Sequence, residues 1–359
     1  MRAAVLPAYH EKLEVYDDVE VIGPGPGEVL CRVVATGVCH SDLSYQRGIF
    51  PNPVPGVAGH EGAGEILALG EGVTGLNVGD HVIFAFLPPC GACLWCLGGQ
   101  PQLCLTMVAQ GAMSQRFRRG EDLFFPMSGL GTFAEQVVVQ QQACIVIPPD
   151  IPLDVASLIG CGVTTGVGAA LNTAQVRPGS SVVVIGCGGV GISIIQGARI
   201  AGAAEIVAVD TFPNKLEMAK RFGATHGATP DQLPAVSAEV TNGFGFDYAF
   251  EAIGSPTTIR SAWDNTRRGG TTVVVGVGRA EDTVPFNAYE FWFMERTFKG
   301  SCYGSADVRT DFHRMLRLWR QGKLDLEGMI TRRIDLSEIN DAFEAMERGE
   351  VIRQVIEFK

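Results

Sequence analysis

Four cysteines fall within fifteen residues: Cys90, Cys93, Cys96 and Cys104. Thiols at spacings of 3, 3 and 8 suit a tetrahedral zinc ion held in a loop. All its positions would come from protein, so the expected role is to order the segment from about Pro88 to Cys104. Free thiols are the plain alternative. The C-x-x-C-x-x-C run also admits an iron–sulfur cluster, although no electron-transfer feature accompanies it. A second set is dispersed: Cys39 in GVCHSD, His60 in GHEGAG and Cys161 in IGCGVTTG. Two thiolates and a neutral imidazole leave one tetrahedral position open, which is the pattern of a catalytic zinc. Such an ion stays a Lewis acid able to stabilise an alkoxide. Glu61, beside His60, is a candidate occasional ligand, and Asp42 is a candidate to orient the His60 imidazole. Taken singly, a His or Cys is more often structural.

The segment Gly186-Cys187-Gly188-Gly189-Val190-Gly191 follows the apolar run SVVVI and opens a helical pattern. Asp210 ends the next apolar run, 19 residues after Gly191. In that context G-x-G-x-x-G reads as a dinucleotide fingerprint. Gly186 permits the tight turn, Gly188 lets a pyrophosphate approach, and Gly191 lets helix and strand pack closely. The helix N-terminus offers amides and a positive dipole end to phosphates. Asp210 would accept hydrogen bonds from a ribose and repel a 2′-phosphate, favouring NAD over NADP. The alternative is an ordinary glycine-rich turn with Asp210 as a helix cap.

These residues need a scaffold. Residues 1–150 look β-rich, with runs Val29–Ala35, Gly64–Leu69 and Phe133–Val139 between turn signals such as PGPGE and NVGD. From about Pro178, strands and helices alternate. Val182–Ile185, Ile206–Val209, Phe246–Glu251, Thr271–Val275 and Thr297–Gly300 read as strands, and Gly189–Ala201 and Pro213–Phe222 as helices. That order implies a parallel sheet covered on both faces. The C-terminal segment reads as helical. Phe312, Met315, Leu316 and Trp319 share one face, as do Ile339, Phe343 and Met346, with Ser337 an expected N-cap and Gly349 an expected C-cap.

The composition is that of a globular chain of 359 residues, 46% apolar and 19% charged. The net charge of −11 excludes a broad phosphate-backbone binder, so no nucleic-acid partner is expected. The N-terminus has no apolar signal region, and the longest apolar stretch, Val182–Val209, is broken by glycines and charges. The expectation is a cytoplasmic protein without membrane contact, its ten cysteines acting as ligands or buried thiols. Cys31, Cys144 and Cys302 read as buried small hydrophobes, and His10, His81, His226 and His313 as structural or solvent-facing.

With these motifs in this order, the chain resembles the zinc-dependent alcohol dehydrogenases of the medium-chain dehydrogenase/reductase family over its full length. A Cys₂His zinc is itself the known ligand set of that family, so it enters as a match. The resemblance implies an α/β fold: a GroES-like catalytic domain, split as 1–160 and 303–359, around a Rossmann domain, 161–302, with the active site in the cleft between them. It implies two zinc ions per chain and NAD. It implies that Ser41 begins the proton relay, that His40 and Arg353 contact the pyrophosphate, and that Thr165, Val275 and Val277 face the nicotinamide. Lys215 falls near the adenosine ribose. Phe50, Phe86 and Met127 fall on the substrate walls. The family often has a histidine relay base where this chain has Ser44, which is no base near pH 7.

The implied reaction is hydride transfer between NAD and a primary alcohol, aromatic or medium-chain, giving the aldehyde. The rival within enzymes is an S-hydroxymethyl-thiol (formaldehyde-adduct) dehydrogenase. Arg116, Arg118 and Arg119 could meet such a charged conjugate, while the acid usual at the position of Phe50 is absent. A second rival is a non-catalytic NAD- and zinc-binding protein. A homodimer is expected through the last Rossmann strand, about Thr297–Cys302.

Overall fold

A computed structural model describes residues 1–359. The chain divides into two units. The first comprises Met1–Gly162, Asp307–Arg320 and Leu326–Lys359; the second comprises Val163–Ala306 and Gln321–Asp325. Cys161 therefore falls in the first unit, with Cys39 and His60.

The spine of the first unit is the strand Glu28–Val38, which pairs antiparallel with Gly62–Leu69, Gln136–Gln140 and Arg353–Glu357. Alternation sets its inner face. Val29, Cys31, Val33 and Ala35 are buried while Arg32 is exposed. Each fully buried valine contributes about 1.5–3 kcal/mol of transfer free energy. They pack with Val137, Phe84 and Phe117 in one core cluster. The last four residues of the strand, Ala35–Val38, are all buried, which delivers Cys39 into the interior. The helix His40–Gln46 follows at once, with Cys39 as its N-cap.

The second unit holds a six-stranded parallel sheet. Its spatial order is His226–Ala228, Glu205–Val209, Ser181–Ile185, Phe246–Glu251, Thr266–Val274 and Thr297–Gly300. In chain order this is 3-2-1-4-5-6, the doubly wound arrangement. The strand order reverses between Ser181–Ile185 and Phe246–Glu251, and such sheets bind ligands at the carboxyl ends of the strands at that point. Val182, Val183 and Val184 are fully buried, as a sheet covered on both faces requires.

Several expectations need correction. The C-terminal segment is not only helical. Besides the helices Val308–Arg320 and Ile339–Glu347 it carries the strands Ile330–Ile334 and Arg353–Glu357. Ser337 is not an N-cap: Asp335 caps that turn, accepting the Ser337 amide at 3.0 Å, with Glu338 returning to the Asp335 amide at 2.8 Å. Gly349 sits one residue past the C-cap Arg348, at φ +70, where its amide reaches Met346 O and that of Glu350 reaches Ala345 O. The stretch from Cys104 to Phe133 contains the helix Thr106–Ala112 and the strands Phe117–Arg119 and Asp122–Pro126. Cys31 and Cys144 are buried, 3.9 Å apart at sulfur, but Cys302 is exposed. No single helix is long and apolar enough to cross a membrane.

Candidate active site

Cys39, His60 and Cys161 converge in the first unit, their donor atoms all within 4.8 Å of one another. All three residues are buried. His60 comes from the chain just before the strand Gly62–Leu69, and Cys161 from the turn before the helix Gly162–Gly168. Asp42, fully buried, fixes two of them. Its Oδ2 accepts the Cys39 amide at 2.9 Å, and its Oδ1 lies 2.9 Å from His60 Nδ1. That bond selects the tautomer with Nε2 free. His60 Nε2 is buried and has no hydrogen-bond partner. An orphaned imidazole nitrogen facing two sulfurs is what a metal would satisfy. The Cys39 thiol is held well below the usual thiol range by the hydrogen bond from Cys161, against burial, and by the Arg353 guanidinium. The three donors thus fit zinc and leave one position of a tetrahedron open.

Glu61 is not one of the converging donors. Its Oε1 accepts the Gly162 amide at 2.8 Å, and its Oε2 lies 3.3 Å from Arg353 Nη1. Burial pushes the Glu61 carboxyl up to about 7 although Arg353 pulls it down. Arg353, expected at the pyrophosphate, is only 3% exposed and sits among the metal donors. Sequence reasoning missed this because it rests on a strand pairing. Gln354 faces Val38 across the sheet, which brings Arg353 beside Cys39. Only the apolar run VIRQVIEF hinted at that strand.

Ser41 Oγ lies 3.8 Å from Cys39 Sγ. Ser41 is partly exposed and His40 is exposed. The Phe86 ring meets the His60 imidazole edge-on at 5.6 Å between centroids, an apolar wall against the metal donors. Phe50 is half-buried against the core that holds Leu43 and Tyr45. Met127 corrects the expectation: it is fully buried in that same core and presents no surface to a substrate.

The second cysteine set also assembles. The donor sulfurs of Cys90, Cys93, Cys96 and Cys104 lie within 4.8 Å of one another. The amides of Ala92 and Cys93 reach Cys90 Sγ at 3.4 and 3.3 Å, and the Cys90 amide reaches Cys104 Sγ at 3.3 Å. These backbone bonds lower the Cys90 thiol to about 6. The donors are all sulfur and leave no open position, so they fit a structural zinc.

In the second unit the glycine turn joins the strand Ser181–Ile185 to the helix Gly189–Ile200. Gly186 has φ +97, and a Cβ on Gly191 would overlap the Gly186 carbonyl. Nothing stands within 4 Å of a Cβ position at Gly188, so the approach there is open. Gly189 and Val190 form the first turn of the helix. Asp210 does not cap the next helix, whose N-cap is Phe212. Its carboxylate accepts the Cys187 amide at 2.8 Å and the Phe212 amide at 3.0 Å, which fixes it beside the turn. Lys215 is buried, with Nζ 5.3 Å from the Phe212 ring. Thr165 is half-buried on the helix Gly162–Gly168. Val275 is buried and Val277 is 55% exposed, just past the strand Thr266–Val274.

Known proteins match both units. Residues 25–149 match the alcohol dehydrogenase GroES-like domain, and residues 189–321 match the zinc-binding dehydrogenase domain. An S-(hydroxymethyl)glutathione dehydrogenase of Escherichia coli O1:K1 is 40% identical, with 99% of each chain covered. The solved benzyl alcohol dehydrogenase of Acinetobacter calcoaceticus superposes with TM-score 0.92 at 32% identity, covering 100% of this chain and 99% of that one. An alcohol dehydrogenase zinc-binding domain protein from Burkholderia ambifaria gives 0.93 at 32% identity, covering 100% and 98%. Full-length kinship at this identity, with both cysteine sets assembled, makes the chain a member of the zinc-dependent alcohol dehydrogenases of the medium-chain dehydrogenase/reductase family, oxidoreductases whose cofactors are zinc and NAD.

Proposed function

We propose that this enzyme oxidises a primary alcohol with an aromatic or medium-length apolar tail to the aldehyde, reducing NAD. Zinc held by Cys39, His60 and Cys161 supplies Lewis acidity to the alcohol oxygen, and NAD supplies the hydride acceptor. The chain's own residues do the rest. Asp42 holds the His60 ring in register. Ser41 accepts the alcohol's proton and, being partly exposed, passes it to water, since Ser44 offers no base. Asp210 receives the ribose hydroxyls beside the glycine turn.

The observation that carries the substrate class is the Phe86 ring against His60. An apolar wall at the reacting end suits an apolar tail. Each methylene buried there contributes about 0.8 kcal/mol, so kcat/KM climbs with chain length before levelling. The 40% identity to S-(hydroxymethyl)glutathione dehydrogenases favours the second reading, a formaldehyde–thiol adduct. Against it, the three candidate arginines are engaged. Arg116 pairs with Glu28 at 2.6 Å, Arg118 with Glu20 at 2.6 Å, and Arg119 with Asp18 at 2.7 Å. The Glu28 partner is nearly buried, so freeing Arg116 would strand a carboxylate. The test is kcat/KM, by absorbance at 340 nm, for ethanol, hexanol, benzyl alcohol and an S-hydroxymethyl thiol. If ethanol or the adduct wins by about tenfold or more, the apolar-pocket reading fails.

The same reading includes a cytoplasmic homodimer. The sheet-edge strand Thr297–Gly300 is exposed along its whole length, beside a helix, Ala288–Met294, that exposes Tyr289, Phe291, Trp292 and Phe293. Pairing two such edges across a two-fold axis would cover both. Light scattering at a monomer or tetramer mass would contradict it.

A further inference from the structure

Glu251 has no exposed surface and no part in the chemistry above. It ends the strand Phe246–Glu251, which borders the point where the sheet order reverses. Its Oε1 collects three donors: the Ile253 amide at 2.9 Å, the Gly254 amide at 2.8 Å and the Thr258 hydroxyl at 2.7 Å. Its Oε2 has no partner. Burial raises the carboxyl above its ordinary range, so the acid is held at a cost. All three donors belong to one turn, residues 252–255, and the start of the helix Pro256–Asn265 that Ser255 caps.

That turn is locked to its neighbours on both sides. The Ala252 amide reaches Ile185 O at 2.9 Å, next to the glycine fingerprint. The Glu251 carbonyl accepts Val275 N at 2.8 Å and Gly276 N at 3.1 Å. A Cβ on Gly276 would overlap the Gly254 amide, so the two backbones touch. On the turn, Ile253 is 51% exposed, an apolar side chain shown at the rim of the strand ends. A buried carboxylate gathering the amides of an exposed turn is the support under that turn rather than part of its surface.

We propose that Glu251 is a positioning residue for the dinucleotide: its carboxylate fixes the turn 252–255 in the conformation that receives the cofactor, without touching the cofactor. This rests on NAD binding at the carboxyl ends of this sheet. Glu251→Ala leaves the Ile253 and Gly254 amides without their acceptor and frees the turn, whereas Glu251→Gln keeps an acceptor at the Oε1 position. Thr258→Val removes one donor and leaves the acid.

The test is NADH affinity by fluorescence titration of the zinc-loaded enzyme, well below each variant's unfolding temperature, with zinc content and kcat at saturating NAD measured alongside. Glu251→Ala should weaken NADH about tenfold or more while zinc content is unchanged and kcat stays within about threefold. Glu251→Gln should stay within about threefold of wild type, and Thr258→Val should lose about threefold. A residue that only supports the fold would lower the unfolding temperature and leave NADH affinity alone. The proposal is overturned if Glu251→Ala binds NADH like wild type, or if Glu251→Gln is as weak as Glu251→Ala. Should Glu251→Ala fail to fold, wild-type affinity in Thr258→Val overturns it. No NADH binding by wild type would instead sink the cofactor reading beneath it.

Discussion

Asp42→Asn tests how the open metal site is built. Both Asp42 oxygens are used at full burial, one by the Cys39 amide and one by His60 Nδ1, each at 2.9 Å. An asparagine keeps one acceptor and turns an NH₂ toward the other donor. One buried N–H is then unpaired, which costs about 1–3 kcal/mol. The bond that survives also loses its charge assistance, roughly halving it. Part of this penalty falls on the fold and part on the metal, because an imidazole without its carboxylate is a poorer and less well-aimed ligand. Losing such a partner lowers metal affinity by about 10–100-fold, or about 1.4–2.7 kcal/mol. The Cys₄ set does not involve Asp42 and serves as an internal control. In a titration with a competing chelator, Asp42→Asn should release one zinc at about 10–100-fold lower chelator and keep the other. Equal release of both ions, or wild-type retention of both, would refute the reasoning.

Asp210→Gly should raise activity with NADP, since a carboxylate about 4 Å from a 2′-phosphate costs roughly 1–4 kcal/mol at effective dielectrics of about 80 to 20; wild-type enzyme using both cofactors equally would show Asp210 misassigned. Cys93→Ser should lose one zinc per chain and lower the unfolding temperature while the remaining folded enzyme still turns over; unchanged thermal stability would remove the structural role. Asp335 is held down to about 2, first by the Ser337 amide and then by Arg2. A lowered folded pKa stabilises above the unfolded value, near 4, and that contribution disappears as pH falls from about 4 to about 2. Asp335 is 45% exposed beside Arg2, so screening limits the effect to under about 1 kcal/mol. Denaturant titrations should therefore show wild type and Asp335→Asn differing by a small constant amount at neutral pH and converging in acid; divergence in acid would reverse the sign.

Much of the site was legible because its chemistry lies in short motifs. GVCHSD carries a ligand and its orienting acid three residues apart, and a helix starting at His40 brings Asp42 back onto the Cys39 amide. The glycine turn was readable for a similar reason, since its steric demands are local. What depends on distant pairing was not. Arg353 joins the metal donors only because the strand Arg353–Glu357 adds to Glu28–Val38, more than three hundred residues earlier in the chain. The resemblance puts Met127 on the substrate wall, but the core of Tyr45, Ala58 and Phe133 closes over it. Ser337 looked like a cap by type, yet Asp335 starts the turn earlier and takes both the Ser337 amide and its hydroxyl. Glu251 gave no signal at all, being one acid at the end of an apolar run.

The most direct test of the central claim is zinc content and NAD-linked turnover measured together on wild type and Cys39→Ser. The account predicts two zinc ions per chain and alcohol-dependent NADH formation in wild type. Cys39→Ser should keep the Cys₄ zinc, the fold and NADH binding, and lose turnover. Full activity in wild type with one zinc or none, or in Cys39→Ser, would contradict it.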